Sequence, residues 1–165
     1  MNIFFITGTS GSGKTTLLNN LKKLLPKNFE LHDFDEIGVP KDADEGWRKE
    51  AVGYWLNRAK TYIEEDKVPV ICGVIMPSEA LHSPERPKDT PLNFIFIEVD
   101  DETIAERLRN KGFDEAIIAA KINLAHYLDE AVKKQQFHFI VDGSKSPDNV
   151  ARACTDWILM TYESE

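Results

Sequence analysis

The amino-acid sequence predicts an α/β fold, a parallel sheet covered by helices on both faces. Short apolar runs rich in Val, Ile and Phe alternate with longer stretches of helical period, which is the pattern of strand–helix–strand units. The runs are almost continuously hydrophobic, as strands buried on both faces are. A length of 165 residues fits one domain, 1–165.

Taken in order, 2–7 (NIFFIT) reads as a strand that ends at a glycine cluster. From Lys14 the period changes. Leu17, Leu18, Leu21, Leu24 and Leu25 form a helical stripe that Pro26 stops. A second strand, 29–32, leads into Asp33, Phe34 and Asp35. A long helix is expected over about 44–66, with Trp47, Ala51, Trp55, Ala59 and Ile63 repeating every fourth residue. The third strand is 68–75. Four prolines, Pro77, Pro84, Pro87 and Pro91, mark 77–91 as mostly loop.

The fourth strand is 93–99. Asp100 then caps a short helix that ends at Gly112. Another helix starts near Phe113, with Ala116, Ile117, Ala120, Leu124, Tyr127, Leu128 and Ala131 continuing an inward stripe. The fifth strand is 137–141. Ser146 and Pro147 supply the N-cap and first residue of a last helix, whose inward side is Val150, Cys154, Trp157 and Ile158. No repeat, low-complexity tract or linker breaks the chain.

Charge narrows the partners. A net charge of -8 disfavours nucleic acid polymers and anionic membranes, which require a basic face. Cys72 and Cys154 form no CxxC pair, so they are expected to be reduced core thiols and not a zinc or redox site. The apolar N-terminal run is short and flows straight into glycines, unlike a signal peptide. No run approaches the roughly 20 apolar residues of a membrane span. A cytoplasmic protein, monomer or homodimer, is expected.

The most specific signal is Gly8-Thr9-Ser10-Gly11-Ser12-Gly13-Lys14-Thr15, a complete GxxxxGK[ST] motif between a strand and a helix. Its glycines let successive amides turn inward as an anion nest, and the helix N-terminus adds partial positive charge. Lys14 is expected on the β- and γ-phosphates of a nucleoside triphosphate and the Thr15 hydroxyl on Mg²⁺. Thr16 completes the candidate nucleotide-binding set.

Asp33 and Asp35 are two residues apart. If strand geometry continued through them, both would face the γ-phosphate end of the sheet. One carboxylate there would take a hydroxyl proton or orient the nucleophile, and another would hold Mg²⁺. The same residues also suit a turn. Arg107, Arg109 and Lys111 crowd before Gly112. They fit either a short lid over 107–113 that neutralises a transferring phosphoryl group or a solvated helix end. Two residues apart on a helix, Arg107 and Arg109 cannot share a face.

Together these motifs resemble the small P-loop kinases of the nucleoside-monophosphate kinase and shikimate kinase group, along the whole chain. The resemblance implies a three-layer P-loop NTPase fold, a five-stranded parallel sheet in order 2-3-1-4-5 flanked by helices, with ATP and Mg²⁺ as cofactors. Asp33-Phe34-Asp35 is similar to that group's DxD. This implies Asp33 near the metal and Asp35 on the acceptor hydroxyl. Residues 101–112 resemble the helix entering the arginine-bearing lid, and 141–150, with Ser144, the stretch around adenine. Of the group's glycine-rich motif after the third strand only Gly73 is present.

The implied activity is phosphoryl transfer to a small molecule such as a nucleoside, nucleotide or metabolite. The segment 36–66 is the expected acceptor side, with Trp47, Arg48, Tyr54, Trp55 and Arg58 as candidates; Trp55 also fits the core stripe. Two other classes stay open. Asp35-Glu36-Ile37-Gly38 matches the DxxG of a hydrolytic switch, although Asn110-Lys111-Gly112-Phe113 lacks the Asp of a guanine-reading NKxD. Val99-Asp100-Asp101-Glu102 could end a Walker B strand in a partner-regulated ATPase.

Overall fold

The computed structural model describes residues 1–134 and 137–164. Five strands, β1 (Ile3–Thr7), β2 (Phe29–Asp33), β3 (Val68–Gly73), β4 (Leu92–Glu98) and β5 (Phe139–Asp142), form one parallel sheet. Its order is β2-β3-β1-β4-β5, as the resemblance implied.

Alternation along each strand sorts the two cores. Phe4 and Ile6 of β1 enter the core shared with α1 (Lys14–Leu24) and α6 (Pro147–Glu163). Ile3 and Phe5 enter the core under α2 (Glu45–Glu64) and the short α3 (Pro77–Leu81), where Phe5 stacks on Phe94 at 5.3 Å. On that second face, α5 (Glu115–Lys133) covers Phe96 and Met76 with Leu128 and Ala131. It also packs against α4 (Asp101–Asn110) through Ile118 and Ala125. Burying each such large apolar side chain contributes about 1.5–3 kcal/mol. Cys72 and Cys154 are free and buried, and burial pushes both thiols up to about 12.

Caps account for the helix starts. The carboxylate of Asp44 accepts from the Trp47 amide at 2.8 Å, Asp100 from Thr103 at 2.8 Å, and Asp114 from Ile117 at 2.9 Å.

One expectation holds and one needs correction. The stretch 77–91 is mostly loop, with the five-residue α3 at its start, opened by Pro77. Its fixed φ suits the first helical position, and the Glu79 carboxylate accepts from the Met76 amide at 2.8 Å. The inward face of α5 is Ile118, Ala125, Leu128 and Ala131, while Phe113, Ile117 and Tyr127 are exposed. This helix carries apolar residues around most of its circumference, so periodicity alone does not choose its face. The choice is made by packing against α4 and β4.

Parallel strands all end at one edge, where ligands of such sheets bind. Thr7, Asp33, Gly73, Glu98 and Asp142 lie there. The Thr7 hydroxyl donates to the Ile75 carbonyl at 2.6 Å and ties the exits of β1 and β3 together.

Candidate functional site

The loop from Gly8 to Gly13 curls over the start of α1. Gly11 (φ 84) and Gly13 (φ 98) adopt left-handed conformations that other residues reach only with strain. Gly8 is needed for space, since a Cβ there would lie 2.5 Å from Ser12 Oγ. Gly13 is the N-cap of α1 and offers no side-chain cap, which leaves first-turn amides to an anion. The Ser12 hydroxyl is buried and has no hydrogen-bond partner among the described residues. Lys14 Nζ donates to the Gly8 and Thr9 carbonyls at 2.5 and 2.7 Å. Burial lowers its pKa, against the pull of the Asp33 and Asp35 carboxylates. Ser10 is partly buried, and Thr15 and Thr16 are exposed on the first turn of α1.

Asp33 and Asp35 are not on one continuous strand. β2 ends at Asp33, and Phe34–Ile37 forms one 3₁₀ turn. Asp33 caps this turn, its Oδ1 accepting from the Asp35 amide at 2.9 Å. The turn and the acidic pair are thus the same structure. Phe34 is buried edge-on to Trp47, and its carbonyl accepts from Trp55 Nε1 at 3.0 Å. A Cβ on Gly73 would collide with Phe34, so glycine at the end of β3 lets the turn lie against the sheet. Asp35 has a raised pKa, chiefly from burial and next from the Asp33 charge, while Lys14, Arg48 and Lys121 oppose the shift.

A cavity of about 370 Å³ adjoins the loop, lined by Gly11, Thr16, Arg107, Gly143, Pro147 and Val150 among others. Arg107 spans its edge, donating to the Gly11 and Gly143 carbonyls at 3.1 and 3.0 Å. Ser144 is turned onto Asp142, with its hydroxyl and amide 2.5 and 2.9 Å from Oδ1; its neighbour Lys145 lines the cavity. Arg109 points elsewhere and forks onto Glu115 at 2.7 and 3.0 Å, across the turn at Gly112. The structure therefore brings Arg107 to the glycine loop and leaves Arg109 at the surface.

On the expected acceptor side, Trp55 is buried and Trp47 partly so. Arg58 lies over the Tyr62 ring at 4.7 Å. Arg48 grips both oxygens of Glu79 at 2.7 and 2.8 Å and the Val74 carbonyl at 2.8 Å. A groove of about 590 Å³ runs between α2 and the residues of α3 and the loop after it.

Two participants have no motif of their own. Glu79 was foreshadowed by its place two residues after Pro77, a helix-start pattern. Lys121 is a partly buried lysine on α5 whose carbonyl accepts from the Thr9 hydroxyl at 3.2 Å; only the true inward face of α5 reveals it.

The carboxylates after β4 are engaged elsewhere. Asp100 takes both the Thr103 amide and hydroxyl at 2.8 Å, and Asp101 pairs with His126 at 2.9 Å.

These features fit a nucleoside triphosphate: an amide nest, an unpartnered buried hydroxyl, a lysine and an adjoining cavity. Thr15 and Asp33, the oxygen donors the sequence suggests for Mg²⁺, lie at the start of α1 and the end of β2. Among the described residues no group of three or more His, Cys, Asp or Glu side chains could hold a metal. No helix among those residues is long and apolar enough to cross a membrane.

Comparison with known proteins agrees. A sugar kinase from Janibacter sp. HTCC2649 is similar in structure, with TM-score 0.71, 14% identity, and 96% of this chain and 94% of that one covered. A gluconokinase from Sinorhizobium meliloti 1021 gives TM-score 0.68 and 14% identity, covering 99% and 94%. Shikimate kinase from Aquifex aeolicus gives 0.60 and 21% identity, covering 98% and 96%. Identities this low establish the fold. No curated protein matches the sequence. A family model described as an AAA domain matches residues 4–137, most of the chain, and the chain belongs to that family.

Proposed function

We propose that this AAA-domain protein is a small-molecule kinase that moves the γ-phosphoryl group of ATP to a hydroxyl or phosphate of a nucleoside, nucleotide or other small metabolite. The observation that carries this reading is the acidic pair: Asp33 ends β2 at the ligand-binding edge of the sheet and caps the turn that carries Asp35, and both carboxylates are near enough to Lys14 to favour its charged form. The sugar kinase, gluconokinase and shikimate kinase among the structural neighbours support it.

In this reading the amides of Gly8 to Thr15 hold the triphosphate, Lys14 leaves its two carbonyls for the β- and γ-phosphates, and the cavity beneath Arg107 takes the adenine. Thr15 and Asp33 would hold Mg²⁺, which supplies positive charge between the terminal phosphates. Asp35 orients an acceptor hydroxyl and accepts its proton, and its raised pKa brings it closer to neutrality, as suits a base. The bond from Pγ to the β,γ-bridging oxygen breaks as the acceptor oxygen bonds to phosphorus, and ADP leaves. Positioning and charge stabilisation supply most of the rate. A hydrolytic, partner-regulated ATPase is disfavoured, because Asp100 and Asp101 are spent on a helix cap and a surface contact with His126.

The test is ADP production with MgATP against a panel of nucleosides, nucleotides, sugars and sugar acids, with mass spectrometry of the product. ADP formation that requires one class of acceptor is expected. Steady hydrolysis indifferent to every acceptor would overturn the assignment.

A further inference from the structure

Phosphoryl transfer between oxygens gathers negative charge that one lysine and one metal ion seldom balance alone, and an added cation is worth about 10³–10⁵ in rate. The basic cluster before Gly112 is poorly placed to supply it. Arg107 is committed to two carbonyls at the edge of the cavity, Arg109 is locked to Glu115, and Lys111 is an exposed helix end.

Lys121 is differently situated. The Thr9 hydroxyl holds its carbonyl, joining the middle of α5 directly to the phosphate loop. Around it Ile118 and Ala125 are buried and Ile122 partly buried against α4, so the backbone at this point is fixed by a core. The Lys121 side chain is partly buried. Among the described residues, no carboxylate lies within ion-pair distance of its ammonium. Its charge reaches both Lys14, which it repels, and Asp35, which it attracts. Lys121 is thus tied through its backbone to the phosphate loop, close enough for its charge to act on Lys14 and Asp35 and held by no ion pair of its own among the described residues, as suits a cation kept for an anionic ligand.

We propose that Lys121 is the second cation of the transfer site, contacting the γ-phosphoryl group from a fixed helix opposite Lys14. The inference rests on the kinase reading and adds to it the source of the charge: α5, not the short lid. The acceptor proton goes to Asp35.

The experiment compares Mg·ADP binding with Mg·ADP–fluoroaluminate binding, calorimetrically, in wild type, Lys121→Ala, Lys121→Gln and Lys121→Arg. No acceptor is needed. The wild type binds the transition-state mimic far more tightly than ADP. The Ala and Gln variants keep ADP affinity within about twofold and lose about 10²–10³ in affinity for the mimic, the usual cost of deleting one charge stabiliser; Lys121→Arg recovers a substantial part. The Gln variant keeps most of the aliphatic stem and serves if Ala fails to fold. Equal losses for ADP and mimic would make Lys121 merely structural and sink the proposal, as would unchanged mimic binding. A wild type that binds the mimic no better than ADP would also overturn the proposal, while the kinase reading is tested separately by acceptor-dependent ADP formation.

Discussion

The phosphate-loop side of this site and the proposed acceptor side are built by different means. On the phosphate-loop side the working groups are mostly backbone: glycine-directed amides, a helix N-terminus, and carbonyls that hold Lys14 and Arg107. On the acceptor side the geometry is set by side chains far apart in sequence, with Arg48 gripping Glu79 and Trp55 reaching the Phe34 carbonyl. A backbone nest suits a phosphate chain shared by many ligands. Side-chain pairs can be exchanged to suit one acceptor without disturbing the nest. Substitutions on the first side should therefore remove activity outright, and those on the second should change which acceptor is used and how well.

The largest effect is expected for Lys14→Ala. Turnover should fall by at least about 10³-fold, the scale of a lost phosphate-stabilising cation, as measured by ADP release. Asp35→Asn follows, lowering kcat by about 10²–10⁴, the worth of a positioned general base, with ATP affinity retained in calorimetry. The sign of its pH effect follows from the raised pKa. The acid limb of the rate profile should lie above the ordinary carboxylate range and move to lower pH in Asp33→Asn. A raised folded-state pKa contributes stability at low pH that is lost as pH rises through it, so Asp35→Asn should also raise Tm at neutral pH.

Gly73→Ala tests the join between the two sides. The new methyl group meets Phe34, and overpacking of this kind costs about 1–3 kcal/mol; denaturant unfolding should show that loss together with reduced kcat. Arg48→Ala should raise the acceptor KM about tenfold, equivalent to about 1.4 kcal/mol, and leave ATP affinity alone. Arg109→Ala should change neither kcat nor Tm measurably, because its pair with Glu115 is exposed and such pairs contribute little.

How legible each side was in the sequence follows from the same contrast. The phosphate loop and the caps at Asp100 and Ser146 were readable because each depends on neighbours within a few residues, whereas the sheet order came only through the resemblance. Arg48 was visible as a candidate but its partner was not, since Glu79 lies 31 residues away. Asp33 and Asp35 were identified, but their arrangement arises from a 3₁₀ turn packed on Gly73 and not from an extended strand. Lys121 was hidden because several apolar faces of α5 compete on paper, and contacts with α4 and β4 decide among them. Arg107 and Arg109 looked equivalent until tertiary structure gave one the glycine loop and the other Glu115.

The most direct measurement follows the γ-phosphorus of labelled ATP in a single turnover, with and without an acceptor mixture, in wild type and Asp35→Asn. The expected result is label in a small-molecule product with wild type plus acceptor, and label remaining in bound ATP with the variant. Label released as inorganic phosphate at the same rate in both proteins, whether or not an acceptor is present, would contradict a transfer site formed by the phosphate loop and the acidic pair.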